Sequence, residues 1–167
     1  MKGRHERNSP NPDQGLARRI GLGALRVLGG VTPRRTPGEG VREAVDYSEA
    51  AAKITDTERD ERGMLYARAG QAYMGADQHD MALGMFERAQ ADLEVGILAR
   101  PTQEVYTSLA KTYQGIEFTC LELGRIPQAW EVHDRAVELA EEMRQLFGLE
   151  TDFYEGGMRI TRMEGTY

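Results

Sequence analysis

The sequence predicts an all-α fold of about five helices packed as antiparallel pairs, preceded by a flexible basic N-terminal arm. Three observations carry that prediction. From Val41 onward the apolar residues recur with the period of a helix that buries one face. The interruptions of that period fall on glycines, prolines and residues suited to capping. One helix pair is echoed further along the chain, as in stacked helical arrays.

Residues 1–40 differ in kind from the rest of the chain. They hold eight Lys or Arg against Glu6, Asp13 and Glu39, about +5, which leaves 13 basic and 24 acidic residues, about −11, for the remainder. Four of the six prolines and eight of the 19 glycines also lie there, a composition that resists packing. Within this arm, residues 15–30 intersperse Leu16, Ile20, Leu25, Val27 and Leu28 with Arg18, Arg19 and Arg26, a pattern open to two readings, a loosely structured tail or a short amphipathic helix suited to an anionic surface or a partner. A twin-arginine export signal is a poorer reading, because Arg26 interrupts the apolar run and no A-x-A cleavage site follows. The stretch is no dinucleotide fingerprint either, since Arg26 stands where a third glycine belongs.

The folded domain is expected over 41–148. Its first helix spans about Val41 to Ile54, and Thr55 with Glu58 offers a capping box for a second that runs to about Met74. Asp77 then serves as N-cap of a third, ending near Gly96. Thr102 opens a fourth to about Leu123, Gly124 closes it, and Pro127 sits in the first turn of a fifth that stops at Gly148. Residues 149–167 form a tail or cap, with a weak strand pattern in Met158–Met163.

Shifting the chain by 47 residues places Asp77 on Gly124, Ala82 on Ala129, Ala89 on Ala136 and Thr55 on Thr102. A rival shift of 40 aligns the segment starting at Tyr66 with the one starting at Tyr106. The difference of seven residues is nearly two helical turns, so both registers bury the same stripe: Tyr106, Leu109, Tyr113, Ile116, Cys120 and Leu123. Small residues recur where helices must approach closely.

The spacing of Tyr66, Gly70 and Tyr73, followed by Ala82, Phe86 and Ala89, resembles the tetratricopeptide repeat (TPR) family. A second, looser match runs through Tyr113, Ile116, Gly124, Ala129 and Ala136, with Glu117 replacing a small residue and His133 an aromatic. The resemblance covers about residues 60–143. It implies a right-handed, TPR-like solenoid whose concave side, built from the first helix of each pair, receives a protein or peptide segment. Carried onto this chain, that face comprises Ala67, Gln71, Met74, Lys111, Gln114, Phe118 and Leu121.

Residues that suggest other chemistry have plainer readings. His79-Asp80 and His133-Asp134 resemble the metal-binding pair of phosphohydrolases, yet the chain has only three histidines and His5 lies in the arm. His133 is expected as a half-buried stand-in for an aromatic, hydrogen-bonded to Glu117. Cys120 lies on the apolar stripe and reads as a small core residue. No catalytic, metal or cofactor site is expected, nor specific nucleic-acid recognition. The single cysteine and the absence of an apolar run of about 18 residues fit a cytoplasmic protein. The expected function is a non-catalytic adaptor or scaffold. The alternative is a structural subunit docked through its N-terminal arm and C-terminal tail, and a homo-oligomer is compatible with either.

Overall fold

The computed structural model describes residues 36–154 and 157–163. Among the described residues five helices follow one another: α1 (Pro37–Ala52), α2 (Arg59–Gly75), α3 (His79–Ala99), α4 (Gln103–Glu122) and α5 (Ile126–Phe147). A 3₁₀ turn at Asp56–Glu58 precedes α2, and an antiparallel hairpin of β1 (Leu149–Tyr154) and β2 (Gly157–Arg162) follows α5.

Helix α1 starts four residues before Val41. Thr36 Oγ1 accepts from Glu39 N at 3.3 Å, while Thr36 N donates to the Glu39 carboxylate at 2.9 Å, a complete capping box with proline in the first turn. The two glycines of this turn made the segment resemble arm. Gly40 is instead buried against α2, where a β-carbon would stand 3.1 Å from that of Ala76.

The capping box expected at Thr55 does not form. Thr55 bonds to the hydroxyl of Thr57 at 2.8 Å, and the 3₁₀ turn separates it from α2. Asp77 is not an N-cap either. It takes a left-handed conformation, φ 58°, because the turn closes α2 from behind: Gln78 N donates to Tyr73 O at 2.9 Å and Asp77 N to Met74 O at 3.1 Å. Forty-seven residues later these two bonds recur. Arg125 N donates to Cys120 O and Gly124 N to Leu121 O, with Gly124 at φ 71°. The 47-residue register therefore holds at the turns. The remaining boundary signals act as expected: Thr102 Oγ1 accepts from Val105 N, Pro127 lies in the first turn of α5, and Gly148 ends it at φ 62°.

Three-residue links make α2/α3 and α4/α5 antiparallel, and side-chain contacts agree. Asp60 meets Gly96 at one end of the first pair and Gly70 meets Phe86 near the other, while Tyr106 reaches Glu142 and Glu117 reaches His133 in the second. Helices α3 and α5 run parallel: Arg125 approaches Asp80, Gln128 donates to Glu87, and Arg135 donates to Glu94, so the contacts advance together along both helices. Ala82, Ala89, Ala129 and Ala136 are all buried where helices meet.

Phe86 sits at the centre, fully buried. A β-carbon at Gly70 on α2 would stand 2.7 Å from its ring, and one at Gly115 on α4 only 2.5 Å. Far from the turn, ion pairs fasten α2 to α3. Arg62 grips the Asp92 carboxylate with two 2.7 Å bonds and also reaches Asp56, while Arg100 donates to buried Asp60. These carboxylates hold the Arg62 guanidinium above its ordinary range. A second polar knot centres on Glu94, which accepts from Tyr113 and Gln90 at 2.8 Å and from Arg135 at 3.3 Å.

The described part of the C-terminal tail, Leu149–Tyr154 and Gly157–Arg162, pairs as a β-hairpin. Met158 and Ile160 alternate with Arg159 and Thr161, the period of a strand with one covered face. Leu149 and Met158 are buried, β1 touches α5 and β2 touches α4, and Met163 N donates to Gly148 O at 2.9 Å. The hairpin thus covers the second helix pair.

Two predictions arise from this packing. Gly70→Ala and Gly115→Ala should each cost about 1–3 kcal/mol, because the Phe86 ring is backed on every side. Gly84→Ala, on α3 with nothing within 4 Å of the new carbon, should instead gain up to about 1 kcal/mol from helix propensity. Urea titration of the three variants measures the contrast, and equal midpoints for all three would contradict the wedge. The second concerns alkali. Burial, and then the bond to Glu94, raise the Tyr113 hydroxyl above its ordinary value. The folded state therefore retains a proton that the unfolded chain loses at about pH 10, so this contribution is complete below that pH and declines as pH rises above it. Tyr113→Phe should flatten the fall in melting temperature between pH 9 and 11.5 relative to the parent.

Candidate functional site

The face foreseen as a binding surface lies on α2 and α4, the two first helices of the pairs, which touch one another. Its seven residues divide by burial. Phe118 is 40% exposed and Leu121 48%, while Gln71, Met74 and Lys111 are half-buried. Ala67 and Gln114, at 8% and 7%, belong to the interior and offer a partner almost no surface. The close approach of neighbouring elements explains the difference. A position displaced from the buried stripe remains in water only where nothing packs over it, and α4 is touched by α2, α3, α5 and β2. The Nε2 of Gln114 is buried without a hydrogen-bond partner.

Phe118 has a neighbour that the sequence pattern did not indicate. The His79 ring, from the first turn of α3, stands 6.5 Å from the Phe118 ring at 60°, and its Nδ1 is buried and unpaired. Contact between residues 39 apart leaves no trace in either helix's period. Toward solvent, the face presents apolar Met74, Phe118 and Leu121, the amide of Gln71 and the cation of Lys111. It can hold an extended or helical segment through apolar contact and a few polar bonds. It contains no nucleophile–base pair.

The other candidates lie elsewhere. His133 Nδ1 is 3.2 Å from Glu117 Oε1, the pair expected from sequence. Cys120 is wholly buried, and burial pushes its thiol up, which keeps the thiolate population low near neutrality. Among the described residues, no group of three or more His, Cys, Asp or Glu is placed to hold a metal ion. Arg18, Arg19, Arg26 and the helix expected over 15–30 lie outside the described residues. No described helix is long and apolar enough to cross a membrane.

Comparison with protein-family models, with curated proteins and with solved structures gives no match to this chain.

Proposed function

We propose that the chain is a non-catalytic protein-interaction module, a TPR-like stack of two helix pairs that receives a partner segment on the α2–α4 face. The observation that carries this reading is the partial exposure of Phe118 and Leu121 on α4, which touches the helix that carries Gln71 and Met74. Large apolar side chains left in water one turn apart, rimmed by polar groups, are the surface expected of a recognition site. The duplicated turns at Asp77 and Gly124 and the parallel run of α3 and α5 support the repeat-like stacking. The partner is a peptide or protein segment with apolar anchors.

The rival, a structural subunit docked through both termini, draws less support from the C-terminal side. The hairpin already buries Leu149 and Met158 within its own chain, so less of the tail is left for a neighbour.

The test is affinity capture with the parent chain and with a variant carrying Gln71→Glu and Phe118→Ala, which adds a charge and deletes an apolar anchor. The variant should lose the partner while its melting temperature falls less than that of Gly115→Ala, since Gln71 is half-buried and Phe118 40% exposed, outside the Phe86 wedge. Leu98→Ala, at an exposed position near the end of α3, serves as the control and should bind normally. If the double variant captures the same partner equally well and removal of residues 1–35 ends capture, the subunit reading replaces this one.

A further inference from the structure

Helix α5, strand β1 and helix α4 bring together four side chains that the α2–α4 face does not use. His133 is the common neighbour. Its ring centre lies 5.8 Å from that of Trp130, with the planes at 81°, and 5.3 Å from that of Phe153, with the planes at 63°. Its Nδ1 meets Glu117 Oε1 at 3.2 Å, which fixes the orientation of the imidazole. His133, Phe153 and Glu117 are half-buried, whereas Trp130 is 63% exposed.

The exposure of Trp130 calls for a reason. Helix α5 buries Val132, Ala136, Leu139 and Met143 along its inner stripe, so the helix is anchored without the indole. What the indole adds is a π face, standing nearly perpendicular to the neighbouring imidazole. Rings at such angles form the walls of a corner, and the faces of aromatic rings are electronegative. Glu117 places a carboxyl group beside the same imidazole. Asp134, exposed on α5 next to His133 in the chain, adds a second acidic group, Glu131 being paired with Arg135 at 3.8 Å, and from residue 41 onward acidic residues outnumber basic ones by 24 to 13.

Each alternative occupant is disfavoured by this chemistry. An anion meets carboxylates and π faces, and a neutral apolar group leaves the charge unanswered. A bare metal ion finds no set of three ligands among the described residues. An alkylammonium group suits both features at once, its methyl surface packing on the rings while its diffuse charge faces them and the carboxylate. We propose that Trp130, His133, Phe153 and Glu117 form an aromatic cage for an alkylammonium cation, the methylated lysine of a basic partner segment being the form that matches the charge of the domain. This site does not depend on the α2–α4 reading.

Trp130 is the only tryptophan of the chain, so its fluorescence reports occupancy directly. The full chain is titrated with N-acetyl-trimethyllysine amide, with the uncharged analogue that has carbon in place of the ammonium nitrogen, and with tetramethylammonium chloride. A saturable change with the trimethyllysine compound, at least tenfold tighter than with the carbon analogue, is the expected result. Equal affinity for the carbon analogue, or no saturable response to either ammonium compound, overturns the cage. The third ligand separates the sources: weaker binding of tetramethylammonium assigns the site to a lysine within a segment, and equal binding assigns it to a free ammonium compound. Phe153→Leu keeps the reporter and should weaken binding about three- to tenfold. Trp130→Leu, an exposed position that the fold does not need, should abolish the heat of binding in calorimetry. Unchanged affinity in both variants would overturn the proposal even where the parent binds.

Discussion

Everything in the helical body is referred to one ring. Phe86 on α3 fills the space that side chains at Gly70 and Gly115 would occupy, so a single fully buried residue sets how closely α2 and α4 approach α3. The constraint acts in both directions. A smaller residue at 86 would leave a cavity between three helices, and a larger one at 70 or 115 would force them apart; each change costs energy because the interior is close-packed. Contact between the first helices of the two pairs depends on this wedge, and the face they share depends on that contact. The ion pairs of Asp60 and Asp92 with Arg100 and Arg62 then hold the opposite end of the α2/α3 pair, where Gly63 and Gly96 also allow close approach. Since Arg62 answers Asp92 with two bonds and half-buried geometry, its role is to fix the alignment of α2 on α3 more than to add stability.

How much of this was legible depended on whether the deciding interaction was local. Helix periods, the Thr102 cap and the Gly124 and Gly148 stops are written in a few neighbouring residues, and the helices lie where those residues place them. The small-residue positions Gly70, Ala82 and Ala89 were also legible, because close helix approach admits few residue types. Failures came where two local signals competed. Thr55 and Glu58 have the spacing of a capping box, but the chain tightens into a 3₁₀ turn there; Thr36 and Glu39 have the same spacing and form one, with Pro37 supplying the first helical φ. Asp77 suits an N-cap by residue type, yet the two-bond closure of α2 needs a left-handed residue at that point, a conformation that Asp tolerates better than most side chains. The hairpin was nearly hidden. Its strands are six residues each, β1 carries the turn-like Glu150, Thr151 and Asp152, and only β2 alternates clearly.

The candidate site was less legible for a related reason. A helical wheel gives the direction of a side chain but not what lies opposite. Ala67 and Gln114 share the angular sector of Gln71 and Phe118, and only the placement of adjoining elements makes the first two interior. The three-ring cluster at His133 was wholly beyond reach, since it depends on β1 returning along α5 to bring Phe153 beside a residue 20 positions earlier. Sequence did identify the Glu117 partner, because the missing aromatic and the misplaced carboxylate occur at matching points of one helix pair.

The fold spends its largest side chains unevenly, and that distribution is itself an argument about function. Phe86, Leu93, Leu109, Ile116 and Met143 are fully buried and account for the packing of α3, α4 and α5. Phe118, Leu121 and Trp130 are comparable in size and are left in water on α4 and α5. Apolar surface that remains exposed contributes nothing to folding and raises the hazard of association, whereas a polar residue at any of these positions would leave the wedge, the clamps and the capped turns intact. Packing accounts for part of the phenylalanine at 118, which meets the His79 ring, and for less of the tryptophan at 130, which is 63% exposed. The two positions differ in their surroundings: Phe118 packs edge-on against the His79 ring, while Trp130 lies beside the His133 ring, which meets the Glu117 carboxylate.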